Sequence, residues 1–95
     1  MNADEIISKL QMMKPHLQRE YALKTLGVFG SFSDGTYNDD SDVDILVEFE
    51  RPVGWSFFKL EKYLEDTLKR KIDLVTINAL NEQVKQAALK QIHYV

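Results

Sequence analysis

Three aspartates stand where strands are expected, and that placement is the first pointer to chemistry. Asp42 and Asp44 open the apolar run DVDILVEF (residues 42–49), and Asp73 lies inside KIDLVTI (71–77). An ionised carboxylate taken out of water is costly unless it is paired, hydrogen-bonded or bound to a metal. In a strand, residues i and i+2 project from one face, so Asp42 and Asp44 point the same way with Cα atoms roughly 6.5–7 Å apart. Such a pair can share hard divalent cations: Mg²⁺ takes one or two protein carboxylates and completes its octahedron with water and substrate phosphates. A third acid on an adjacent strand, for which Asp73 is the candidate, allows a two-metal site that activates an attacking oxygen and stabilises a leaving group. The bland alternative is an acidic turn, NDDSDVD, leading to a surface strand, with Asp73 half-exposed at an edge.

A second feature faces the acids. Gly30-Ser31 follows the apolar run TLGVF (25–29), and ten residues separate Ser31 from Asp42. Where a strand gives way to a helix, exposed backbone N–H groups bind phosphate oxygens, glycine allows close approach and a serine hydroxyl adds a donor. Alone, Gly-Ser more often marks a plain turn. Combined with three acids in strand contexts, it makes a chemically consistent set.

The elements that must position these residues follow from periodicity. Ile6, Leu10 and Met13 recur at helical spacing behind Asp4 and Glu5, which suit the positive end of a helix dipole. Pro15 predicts a break near Lys14 and a second short helix over 15–22 with Leu17 and Tyr21 on one face. Strands are expected at 25–29, 42–49 and 71–77. The middle one carries Val43, Ile45, Val47 and Phe49 on one face and Asp42, Asp44, Leu46 and Glu48 on the other. Phe57, Leu60, Leu64 and Leu68 mark an amphipathic helix over 55–70, and Asn78 is the expected N-cap of a last helix bearing Leu80, Val84, Ala88 and Ile92. This order describes an α/β (α+β) fold, a small mixed sheet packed with helices.

Composition sets the outer bounds. The chain has 95 residues, 44% hydrophobic and 28% charged, which suits one small domain over 1–95. The net charge of −3 argues against broad nucleic-acid binding, and the absence of cysteine fits a reducing compartment, the cytoplasm by default. The N-terminus lacks the basic region and apolar run of a secretory signal, and no stretch is long and apolar enough for a membrane span.

Gly30-Ser31, ten intervening residues, Asp42-x-Asp44 and an apolar strand resemble the signature of the DNA polymerase β nucleotidyltransferase superfamily. The helix-rich stretch ending in Asp73 is similar to the segment that leads to that family's third carboxylate, and at this length the match is to the minimal nucleotidyltransferases. The resemblance implies that Gly30 and Ser31 hold the triphosphate of ATP, that Asp42 and Asp44 bind two Mg²⁺, and that Asp73 completes the metal site and helps activate an acceptor hydroxyl. It further implies a helical HEPN-type toxin as partner, with AMP transferred to a toxin tyrosine; the sequence leaves the oligomeric state, homo- or hetero-oligomer, open. One departure stands out: the family often reads Gly-Ser-x-x-Arg-Gly, whereas GSFSDG has Asp34 at the Arg position. An anion there loses attraction for a triphosphate. Lys59, Lys62, Lys69, Arg70 or a partner's basic residue are candidates to compensate. A second reading is therefore a non-catalytic module that neutralises its partner by occupancy; transfer to a small molecule such as an aminoglycoside is a third, disfavoured by the lack of an evident second substrate-binding domain.

The remaining conspicuous residues read as structural. Trp55, Phe57 and Phe58 are expected in the core, His16 and His93 at the surface, and LKRK (68–71) at a helix end where cations favour the dipole. The terminal IHYV suits either a short strand or a partner contact.

Overall fold

The computed structural model describes residues 2–95, Met1 lying outside the described residues. Asn2 starts the first helix: its side chain accepts the Glu5 N–H at 2.9 Å while the Glu5 carboxylate reaches back to the Asn2 N–H at 3.4 Å. This reciprocal cap satisfies two donors that a helix start leaves open. Helix α1 (Ala3–Tyr21) then runs straight through Pro15, in place of the expected break and second helix. Pro15 and Gln11 are both exposed, so the Gln11 carbonyl left without its usual N–H can be solvated, and Ile6, Leu10, Met13 and Leu17 continue as one buried stripe.

After α1 come β1 (Leu23–Phe29), the single turn α2 (Ser31–Asp34), β2 (Val43–Phe49), α3 (Ser56–Leu68), β3 (Ile72–Thr76), a 3-10 turn at Ile77–Ala79, α4 (Glu82–Gln91) and β4 (His93–Tyr94). The sheet order is β3-β2-β1-β4, with β2 and β3 parallel and the other pairs antiparallel. The mixed sheet expected from the sequence is present, and IHYV supplies its short edge strand. Lys14 Nζ also donates to the Val95 carbonyl at 2.6 Å, tying the chain's end to α1.

Alternation sorts the sheet into two faces. Leu26, Val28, Val43, Ile45, Val47, Ile72 and Leu74 point toward α1 and α3, whose Leu60, Leu64 and Leu68 complete the core. Thr25, Gly27, Phe29, Asp44, Leu46, Glu48 and Asp73 take the opposite face. Part of that face is covered where Ile92, just past α4, lies so close to Gly27 that a Cβ there would collide with it.

Two further expectations are corrected. Asn81, not Asn78, caps α4, accepting the Val84 N–H at 2.9 Å, because the chain spends residues 77–79 in the 3-10 turn and Leu80 in extended backbone first. Val84 is consequently 45% exposed, and Ala88 is the buried residue of that helix. The second concerns the aromatics. Phe57 packs against the core, but Trp55 is 83% and Phe58 56% exposed. Trp55 precedes the helix, and Phe58 lies about 100° round from Phe57, off the Phe57-Leu60-Leu64-Leu68 stripe. His16 and His93 are exposed. Among the described residues no helix is long and apolar enough to cross a membrane.

Candidate active site

The antiparallel β1–β2 ladder places Phe29 opposite Asp44, so the chain leaves β1 at Gly30 beside that carboxylate. Gly30 has φ 68°, and a Cβ there would be driven into the Asp44 carboxyl group. Both the backbone angle and the space call for glycine at this position. The turn continues into α2, where the Gly30 carbonyl accepts the Ser33 and Asp34 N–H groups at 3.0 and 3.1 Å. As at any helix start, the first amides lack partners within the helix, which leaves those of Ser31 and Phe32 to other acceptors. Ser33 Oγ donates to the Gln91 carbonyl, joining α2 to the end of α4.

On the other side, the parallel β2–β3 ladder sets Asp73 directly across from Asp44, about 4.8 Å away along the hydrogen-bonding direction. Asp42 immediately precedes β2 and is half-buried. Gly30, Ser31, Asp42, Asp44 and Asp73 are thus gathered at one end of the sheet, with the exposed Asp73 nearest to solvent.

The charge arrangement is unfavourable in isolation. Burial pushes the Asp44 carboxyl up to about 6, helped by the Asp73 charge, by hydrogen bonding with Asp73, and by the Asp42 charge. Neighbouring carboxylates that resist ionising together are suited to a cation that lets all of them ionise. Among the described residues no three acid, histidine or cysteine side chains enclose a metal position by themselves. The donor set nonetheless fits Mg²⁺, which uses hard oxygen ligands, few of them from protein and the rest from water and phosphate.

Several contributors to this site were not foreseen. Lys71 Nζ lies 4.0 Å from Asp42 Oδ2, and the Lys71 carbonyl accepts the Val43 N–H at 2.9 Å. Parallel pairing of 42–49 with 71–77 would have put Lys71 beside Asp42, but sequence does not disclose strand order. Arg70, considered above as a substitute cation and as a helix-end charge, donates to the Asn38 and Ser41 carbonyls. Lys62 instead pairs with Asp66 at 3.7 Å on the exposed side of α3. Asp34 is engaged locally: its carboxylate accepts the Thr36 hydroxyl at 2.6 Å and the Thr36 N–H at 3.0 Å, which holds its pKa below the ordinary value.

A cleft of about 510 Å³ lies at the far ends of β2 and β3, lined by Glu48, Phe49, Arg51, Val53, Phe57 and Ile77 among others. It contains none of the five predicted site residues. Its mixed lining offers a concavity, whereas the acid end offers convergent carboxylates.

Comparison with known proteins bears on the choice between them. The model of the nucleotidyltransferase domain family matches residues 10–95. The protein adenylyltransferase MntA of Thermococcus cleftensis is 38% identical over 96 residues, spanning 100% of this chain and 97% of that protein. A solved minimal nucleotidyltransferase, so assigned, superposes with a TM-score of 0.86 at 24% identity over 98% of this chain and 95% of its own, a likeness of fold. A toxin–antitoxin structure with AMP-PNP superposes with a TM-score of 0.71 at 26% identity, covering 99% of this chain and 72% of that one.

Proposed function

The chain belongs to the nucleotidyltransferase domain family, and from that premise we propose that it transfers AMP from ATP to a hydroxyl of a partner protein, a tyrosine of a HEPN-type toxin, as the antitoxin of a cytoplasmic pair. The observation that carries this reading is the contact between the Gly30 turn and Asp44, with Asp73 in register across the next strand. It brings backbone donors suited to phosphate beside the acids at one end of the sheet. The MntA relative, similar over its whole length, and the AMP-PNP-containing toxin–antitoxin structure support the class of donor and acceptor.

In this mechanism the backbone of Gly30 and Ser31 and the Ser31 hydroxyl donate to the triphosphate, orienting the α-phosphorus toward the acids. Asp42 and Asp44, with Asp73, would hold two Mg²⁺, which supply neutralisation of the triphosphate charge when bound. In this reading Asp73, the most exposed of the three, meets the incoming acceptor and draws its proton. The acceptor oxygen bonds to the α-phosphorus, the bond from that phosphorus to the bridging oxygen breaks, and pyrophosphate carries away the electron pair. The test is intact-mass spectrometry of a HEPN-type protein encoded beside this gene, incubated with the chain, ATP and Mg²⁺. A gain of AMP units that is lost in the Asp42→Ala/Asp44→Ala double variant is expected; an equal gain with that variant would overturn the assignment.

Asp34 keeps a second reading in play, neutralisation by occupancy, since no fixed cation stands at that position. That reading predicts suppression of the toxin without any mass gain.

A further inference from the structure

Asp42 lies just outside β2, held on one side by the sheet through the Val43 N–H to the Lys71 carbonyl, so its distance from the Gly30–Ser31 turn also depends on what holds the turn before it. The segment before it closes on itself: the Ser41 N–H donates to the Asn38 carbonyl at 3.1 Å, the Asn38 N–H to Ser41 Oγ at 2.9 Å, and the Asp40 N–H to Asn38 Oδ1 at 2.8 Å. These bonds order the turn internally but do not attach it to the phosphate turn. Tyr37, just before the turn, stacks on the Phe32 ring with centroids 4.4 Å apart, and Arg70 adds the link that grips the turn itself. Its Nη2 donates to the Asn38 carbonyl at 3.0 Å and the Ser41 carbonyl at 2.6 Å, while its guanidinium carbon stands 4.9 Å from the centroid of the Phe32 ring. Phe32 is buried in α2, one residue after Ser31.

We propose that Arg70 is a positioning residue of this site, holding the Asn38–Ser41 turn, and Asp42 behind it, in register with the Gly30–Ser31 turn. The proposal rests on the nucleotidyl-transfer reading above. Arg70 is itself well anchored, because Lys69 before it closes α3 through its N–H to the Glu65 carbonyl at 2.8 Å, and Lys71 after it accepts the Val43 N–H. The chemistry suits arginine in particular. A planar cation can stack on an aromatic face and donate to carbonyls at the same time, whereas a lysine ammonium offers donors without the plane. The turn it grips carries Asp39 and Asp40 and leads into Asp42, so a fixed positive charge also offsets repulsion along that segment.

The test compares wild type, Arg70→Lys and Arg70→Ala by amide hydrogen exchange and by calorimetric titration with AMP-PNP in the presence of Mg²⁺. Arg70→Ala is expected to speed exchange at residues 38–42 while β1 and β2 amides keep wild-type rates, and to weaken AMP-PNP binding about tenfold through the lost charge-assisted bonds. Arg70→Lys is expected to fall between the two. Unchanged exchange at 38–42, or acceleration spread equally over β1 and β2, would overturn the clamp. Local acceleration with unchanged nucleotide affinity would overturn its link to the site. A wild-type protein that does not bind AMP-PNP would overturn the nucleotide reading itself, and the exchange comparison would still decide the clamp.

Discussion

On one face of β2, Val43, Ile45 and Val47 are at most 1% exposed beneath α1 and α3, whereas on the other Asp44 and Glu48 stay half-open and only part of the face is covered. The two faces share a backbone and a register, so whatever rigidity the closed face acquires is passed to the open one. A carboxylate that the core could not hold is thereby carried on a strand that the core holds firmly. Stability and chemistry are separated by the period of two in a single strand.

Exchanging the character of the faces tests that separation. The largest effect is expected from Asp42→Ala/Asp44→Ala, which should reduce AMP transfer at least about a thousandfold, the scale of losing metal-held phosphate charge. The melting temperature should hold or rise, and the mass-spectrometric time course together with a thermal melt checks both. On the closed face, Ile45→Ala should remove about 3 kcal/mol of stability, because the side chain is 0% exposed and leaves a cavity. Urea denaturation reads this directly; a loss below about 1 kcal/mol would mean that the core relaxes around the gap.

Gly30→Ala sits on the seam between the faces. With φ at 68° and the Asp44 carboxylate in the way, it should lower transfer and cost about 1 kcal/mol or more of stability. The smallest effect is a gain. The folded state holds the Asp44 proton more tightly than the unfolded chain, its pKa moving from 3.8 to about 6. The associated stability is fully present below about pH 4 and is lost as pH rises through about 6. Metal-free Asp44→Asn should therefore melt higher than wild type at pH 7–8, with the difference shrinking toward pH 4. Parallel melting curves that keep a constant gap across this range would contradict the crowding of the acids.

How much of this could be read beforehand depended on whether the information was local. The alternation of 42–49 was enough to sort Val43, Ile45 and Val47 from Asp44 and Glu48, and the four-residue spacing of Leu60, Leu64 and Leu68 marked the face of α3. Strand order is not local, so the juxtaposition of Asp44 with Asp73 was an inference from chemistry, and Lys71 beside Asp42 went unseen. Pro15 misled because its effect depends on which side of the helix meets water. Trp55 and Phe58 misled because large apolar residues at a helix start do not announce which way they turn. Arg70 reads in sequence as a helix-end cation; only the fold brings it to the Asn38–Ser41 turn and Phe32.

The central claim is that nucleotide binds at the acid end of the open face and not in the cleft at the far end of β2 and β3. An NMR titration of the amides with AMP-PNP and Mg²⁺ addresses it most directly. The account predicts shifts concentrated at Gly30, Ser31, Phe32, Asp42, Asp44 and Asp73. Shifts centred instead on Phe49, Arg51, Val53 and Ile77, with the Gly30 turn unmoved, would contradict it.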